Sequence, residues 1–239
     1  MKRNYLISIV VIILVYVIAG AAINKSYILP GLPEIVLSLR NILLSGSFLN
    51  VVFTTLYRTL AGLLISFVIA LSLALLAYFN RTARELLHPL YVLLKTIPNI
   101  TYIIVALLWL GRTGSVILVA SLVVFPIFYN SILNALLNID DSLIKATRLY
   151  QGSLFHKIAR VYLPLIRNDI LSSFANCCSL GFKVSIMAEI LSQVKSGIGK
   201  ELYYAKANFL MADIFAWTIL IIVISSLFDY VISLFNSKE

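Results

Sequence analysis

NIDDSLIKATRLYQGSLFHKIARVYLPLIRND, residues Asn138 to Asp169, is the only long hydrophilic stretch in a chain of 239 residues. Asp140, Asp141, Lys145, Arg148, His156, Lys157, Arg160 and Arg167 all fall within it. Between these charges Leu143, Ile144, Leu149, Leu154, Phe155, Ile158 and Val161 keep helical spacing, which predicts an amphipathic helical hairpin rather than a disordered loop. Such a segment is too long for a simple connection and too patterned for a linker, so a partner is expected to dock against it. An amphipathic segment resting on anionic lipid heads is the other reading of the same pattern.

The rest of the chain is unlike that stretch. Overall 61% of residues are hydrophobic and 12% charged, with a mean hydropathy of +1.00. Soluble domains carry about 25% charged residues, and this much apolar surface exceeds what one core can hide. At roughly 20 apolar residues per span, about six spans fit and leave only short loops. The expected fold class is an all-α integral membrane protein with about six transmembrane helices and no soluble catalytic domain.

Working outward from Asn138, the fourth span is expected from about Ser115 to Leu137, kinked at Pro126, and the third from Leu86 to Leu110, broken at Pro98. Proline removes a backbone donor, so the freed carbonyls there must be buried or face water. Gly111-Arg112-Thr113-Gly114 reads as a tight outer turn and Asn80 to Glu85 as a polar inner loop. The second span, about Val51 to Phe79, carries Gly62, Ser66, Ala70 and Ala74 at intervals of four. That small-residue stripe marks a helix-packing face. Beyond Asp169, the fifth span runs from about Ile170 to Leu191 and is the most polar, followed by an outer loop from Ser192 to Met211 and a sixth span from about Ala212 to Phe235. At the N-terminus, the run from Tyr5 to Ile23 exceeds a signal-peptide core and reads as a retained first helix. After it, Glu34 to Leu44 predicts a short amphipathic helix on the outer face. Residues 1–50 thus form an N-terminal unit of span plus outer helix, and 51–239 the core with its loop at about 138–169.

The formal charge of +9 follows from topology rather than nucleic-acid binding. Ten Lys and Arg residues fall on the expected inner side against six outside, which places both termini in the cytoplasm. Cys177 and Cys178 are adjacent within an apolar run and read as small buried helix residues. His88 and His156 are far apart, so neither a metal site nor a cofactor site is expected, and no catalytic motif is present. With no phosphate-binding loop, any ATP-driven work must come from another polypeptide.

Four ionisable residues lie at membrane depth: Arg58, Lys95, Lys183 and Glu189. A charge near the bilayer centre costs about 2.5–3.5 kcal/mol even on insertion scales, so each needs a reason. Lys183 and Glu189, six residues apart, project about 120° from each other on a helix and cannot pair. A role in a translocation pathway and purely structural interhelix bonding both remain open for them. Lys95 is expected to snorkel to the inner interface and Arg58 to the outer one.

The hydrophilic stretch resembles the cytoplasmic signature of permease subunits of type I ABC importers, Glu-Ala-Ala, three residues, Gly, nine residues, Ile-x-Leu-Pro. Leu163-Pro164 stands at its end, Val161 on the Ile position and Lys145-Ala146-Thr147 on the triplet, with Gln151 on the glycine position and Gly152 one later. Leu29-Pro30-Gly31-Leu32-Pro33, Arg58 to Gly62, Leu94-Lys95-Thr96-Ile97-Pro98, Ala188-Glu189 and Ser196-Gly197-Ile198-Gly199 are similar to the nitrate, sulfonate and taurine branch of this inner-membrane family. The branch also includes importers of pyrimidine vitamin precursors and riboflavin.

The resemblance implies a permease in the bacterial cytoplasmic membrane, importing a small anionic or vitamin-precursor solute. Its partners would be ABC ATPase subunits, an extracytoplasmic solute-binding protein, a second permease copy or paralogue, and membrane lipid. It also implies that the loop is a coupling hairpin meeting the ATPase through Ala146, Arg148, Gly152, Leu163 and Pro164, and that Lys183, Glu189, Lys95 and Arg58 belong to the pathway. A self-contained secondary transporter or channel would use the broken third and charged fifth spans as an ion site, but such proteins often show two related halves, and no internal repeat is visible. A membrane scaffold is the third class.

Overall fold

The computed structural model describes residues 28–140 and 153–236, together with 11, 14–20, 22, 25, 26, 142 and 143. Lys2, Arg3 and the opening of the first span lie outside these residues. So do Lys145, Ala146, Arg148, Gln151 and Gly152 of the hydrophilic loop.

The described chain is helical, without strands. Four helices are long and apolar enough to cross a membrane: Phe48–Phe79, Asn99–Leu137, Arg167–Ser192 and Met211–Val231. We label the main helices α1 (Leu32–Leu44), α2 (Phe48–Phe79), α3 (Arg81–Thr96), α4 (Asn99–Leu137), α5 (Arg167–Ser192), α6 (Ile198–Ala207) and α7 (Met211–Asn236). As a single rod the 39 residues of α4 would measure about 58 Å, nearly twice a bilayer core of about 30 Å. The chain resolves this at Gly111, whose φ of 65° and ψ of −168° break the helix in two. Only glycine adopts that backbone without strain. The expected four-residue outer turn is therefore a one-residue break.

The expected inner loop at Asn80 to Glu85 also shrinks, to one residue. Asn80 ends α2 and caps α3, its side-chain oxygen accepting the Ala83 N–H at 3.2 Å. Arg84 then reaches back, Nε donating to the Ala77 carbonyl at 3.0 Å and a terminal nitrogen to that of Tyr78 at 3.4 Å. These bonds close the orphan carbonyls of α2, so no loop is needed. The third span is broken at Ile97-Pro98 as the sequence predicts, with α3 before it and the first half of α4 after it. Pro98 cannot donate to the Leu94 carbonyl four residues back, and the Tyr102 hydroxyl fills the vacancy at 2.9 Å. Pro126 lies inside α4 without a non-helical residue beside it.

The small-residue stripe of α2 does pack. Gly62, Ser66, Ala70 and Ala74 are all buried, and a Cβ on Gly62 would come within 2.8 Å of Ala120 Cβ and 2.9 Å of the Ile117 carbonyl oxygen. On the opposite face Leu49, Phe53, Leu60, Leu64 and Val68 are exposed, an apolar stripe suited to lipid. Cys177 and Cys178 are buried free thiols, with Cys177 Sγ 4.0 Å from the Val124 carbonyl oxygen of α4. The amphipathic α1 starts at Leu32, two residues before the expected Glu34, and Ser38 donates from its hydroxyl to Asp213 of α7 at 2.5 Å. The N-terminal helical residues also meet α7 through the edge-to-face pair Tyr16–Phe215. In the hydrophilic loop, Leu154–Lys157, a π-helical Ile158–Tyr162 and Leu163–Leu165 run in succession into α5, and Tyr162 packs edge-on against Tyr78 and Phe79 at the Asn80 end.

Candidate functional site: a buried lock, a polar face and an inner cavity

The structure separates the four membrane-depth charges into three environments. Arg58 of α2 and Glu189 of α5 meet at 2.6 Å with side chains 6% and 0% exposed. Arg58 therefore does not snorkel to an interface; a partner across the bundle satisfies it better than a headgroup layer it would have to reach. The second carboxylate oxygen of Glu189 accepts the Thr55 hydroxyl at 2.9 Å and the Gly199 N–H at 2.9 Å. Thr55 in turn accepts the Ile198 N–H at 2.8 Å, and Arg58 donates to the Ser196 carbonyl at 2.7 Å. Both N–H groups belong to the first turn of α6, where orphan donors face a carboxylate.

Glycine is required on that turn. Gly197 has φ 122°, and a Cβ there would lie 2.5 Å from a carboxylate oxygen of Glu189. One on Gly199 would overlap Glu189 Cβ and approach the Ile186 carbonyl oxygen to 2.8 Å. The expected outer loop from Ser192 to Met211 is thus a ten-residue helix pinned to α2 and α5. Beside it, the Ser115 and Ser192 hydroxyls bond at 2.9 Å, tying the second half of α4 to the end of α5.

Lys183 is elsewhere. It is exposed on α5, on a face shared with exposed Ser172 and Asn176 and half-buried Ser179, while Phe182, Val184 and Ser185 beside it are buried. Lys95 is exposed at the end of α3, its Nζ 6.0 Å from the centre of the Tyr91 ring. It lines a cavity of about 770 Å³ with Asn99, Asn130, Asn134, Asp140 and Asp169. Asp140 accepts the Ser142 N–H at 2.8 Å, and that bond holds its carboxyl below the usual carboxylate range. Leu163 is half-buried and Pro164 exposed in the short helical run before α5. Among the described residues no cluster of His, Cys, Asp and Glu suits a metal ion.

Sequence reasoning missed Thr55, which looks like any span threonine until α6 folds onto it. It also missed Asn130 and Asn134, although carboxamides four residues apart in an apolar span are a legible signal of one polar face.

Residues 62–238 match the family described as binding-protein-dependent transport system inner membrane component. The chain belongs to that family. Among relatives, it is 25% identical over 238 residues to the protein of Bacillus subtilis named as an aliphatic sulfonates transport permease, SsuC, covering 99% of this chain and 86% of that one. It is 32% identical over 142 residues to the formylaminopyrimidine transport permease ThiX of Halalkalibacterium halodurans, 55% of each chain. Its fold is that of a chain in the inward-facing methionine ABC transporter MetNI, at TM-score 0.67 and 18% identity, covering 77% of this chain and 92% of that one. This inner-membrane component is accordingly an ABC importer permease, with the type I importer fold.

Proposed function

We propose that this permease conducts a small organic solute with an acidic head group, of the sulfonate class, through a passage formed with a second copy or a close paralogue. The observation that carries the passage is the exposed face of α5. Ser172, Asn176 and Lys183 are open on a membrane-spanning helix, and such groups at membrane depth require water or protein beside them rather than lipid. The apolar face of α2 makes no such demand. Identity to SsuC along nearly the whole chain supports the solute class.

In this reading Lys183 and Lys95 supply positive potential along the route, while Arg58 and Glu189 close its outer end by holding α6 in place. Separate ATPase subunits grip the loop through Ala146, Arg148, Gly152, Leu163 and Pro164, and an extracytoplasmic binding protein delivers solute. Both termini and the Asn80 end of the bundle then face the cytoplasm, and the chain carries no ATPase site of its own. A rigid helical run from the loop into α5 transmits ATPase motion to the span bearing Lys183.

Reconstitution of the permease with its ATPase and binding protein in lipid vesicles tests this directly. Uptake of an alkanesulfonate is expected only with ATP and the binding protein present. Gly152→Glu is expected to insert normally and lose ATPase co-purification. Flux by the permease alone would make it a self-contained transporter and overturn the proposal.

A further inference from the structure

The two halves of the lock stand on helices that both reach the Asn80 end. Arg58 and Thr55 belong to α2, which ends at Phe79, and Glu189 belongs to α5, which begins at Arg167. At 1.5 Å per residue Arg58 is about 32 Å of helix from Phe79, and Glu189 about 33 Å from Arg167. Neither helix contains a proline, whereas α4 beside them is broken at Gly111. Without such a kink each is a rod that carries displacement from one end to the other. Between their ends the rods touch. The Phe67 and Phe174 ring centroids are 4.8 Å apart, and a Cβ on Gly181 would come within 3.3 Å of the Leu63 side chain. Rods in contact along their middle rock about that contact, so a change of spacing at one end is returned at the other.

At the Asn80 end a single side chain bridges the two. Tyr162 belongs to the helical run that leads into α5, yet its ring lies edge-on to the last two residues of α2, at 5.5 Å from Tyr78 and 5.4 Å from Phe79. It is 7% exposed. The π-helical turn Ile158–Tyr162 aims it there. In an uninterrupted α-helix Phe155 and Tyr162, seven positions apart, would share a face. The extra residue of a π turn shifts that phase by about 100°. Phe155 accordingly stays 76% exposed while Tyr162 is buried. The surface that Tyr162 meets is firm, because Asn80 caps α3 and Arg84 holds the carbonyls of Ala77 and Tyr78.

We infer that Tyr162 is a positioning residue for the distant lock: seated against the last turn of α2, it holds the Asn80 ends of α2 and α5 at the spacing at which Arg58 and Glu189 meet. In this structure the ring is seated, the lock is shut at 2.6 Å and the cavity at the Asn80 end is open. A movement of the loop that withdraws the ring lets the Asn80 ends approach, and rocking about Phe67 and Phe174 parts the other ends. Helix shifts of about 1–2 Å are ordinary in switching proteins, and one of that size takes the lock out of hydrogen-bond range. The inference rests on the permease reading above. It adds a route by which the loop reaches α2 as well as α5, and so both halves of the lock.

The test uses the whole ATPase–permease complex in lipid nanodiscs, with Thr59→Cys as reporter. Thr59 is 1% exposed on α2, one turn from Thr55, and the native thiols Cys177 and Cys178 are buried. Maleimide labelling of the parent reporter is expected to be slow without nucleotide and faster with ATP in the absence of magnesium, where binding occurs without hydrolysis. Tyr162→Ala is expected to label roughly fivefold faster or more without nucleotide. By reciprocal linkage it also lowers the ATP concentration for half-maximal labelling by a similar factor, a gain that loss of folding stability does not produce. Tyr162→Phe keeps the ring and is expected to behave as the parent. Phe79→Leu removes one ring contact at an already exposed residue and is expected to move both readouts the same way by less, so the test stands even if the alanine variant does not assemble. Parent-like labelling and ATP dependence in Tyr162→Ala, or in Phe79→Leu where only that variant assembles, overturn the inference and leave the permease reading. A parent with ATP-dependent uptake whose labelling ignores ATP does the same. Uptake without ATP removes the permease reading as well.

Discussion

The two ends of the bundle handle polar groups in opposite ways. At the Gly111 end Arg58 and Glu189 are almost completely buried, and Thr55, Ser196 and the first turn of α6 supply partners for both. At the Asn80 end Lys95, Asn130 and Asn134 border a cavity of about 770 Å³, and the two amides have no partner in the described chain. A buried charge is tolerated only when paired and hydrogen-bonded, so the first end is built to stay shut upon itself. Unmade hydrogen bonds at an open surface are available to water, so the second end keeps its polar groups accessible.

Five variants sharpen or break this contrast. The largest effect is expected at Gly199→Val, whose Cβ would overlap Glu189 and press on the backbone of Ile186 and Ile190. Overpacking against backbone that cannot yield costs upwards of about 3 kcal/mol, and no monodisperse subunit is expected on size exclusion. Glu189→Ala comes next, because it strands Arg58 and should lower stability by about 3–5 kcal/mol. Arg58→Met combined with Glu189→Leu should recover more than half of that loss in thermal unfolding. If the double variant is no better than the single one, the pair is not the organising element of the lock. Lys183→Met is expected to leave folding intact and cut uptake in vesicles roughly tenfold, the scale on which a charged passage concentrates its solute; unchanged uptake removes the lysine from the route. At the small end, Arg81→Ala breaks a 2.9 Å pair with Glu85 whose side chains are 90% and 65% exposed. Solvent screening leaves such pairs nearly neutral, so its melting curve should match the parent's.

Much of the fold was readable in the order of residues because span length and polarity are one-dimensional quantities. The break at Pro98, the packing stripe from Gly62 to Ala74 and the buried cysteines all follow from local rules and stand in the structure. Boundaries were less readable where tertiary partners replace loops. Arg84 turns a six-residue inner loop into a single residue at Asn80, and Glu189 draws an apparent outer loop into α6. The Arg58–Glu189 pair itself was out of reach, because nothing local tells two charges 131 positions apart that they share a neighbour.

The amino-acid sequence alone determined that this chain lives in a bilayer and which four charges must be explained. It did so because the cost of moving each residue out of water is set by composition over a short window. Only the tertiary structure decided that two of those charges neutralise each other in a lock while the other two stay open on separate surfaces. Pairing depends on which helix faces stand a few ångströms apart, and that distance exists only after the bundle has closed.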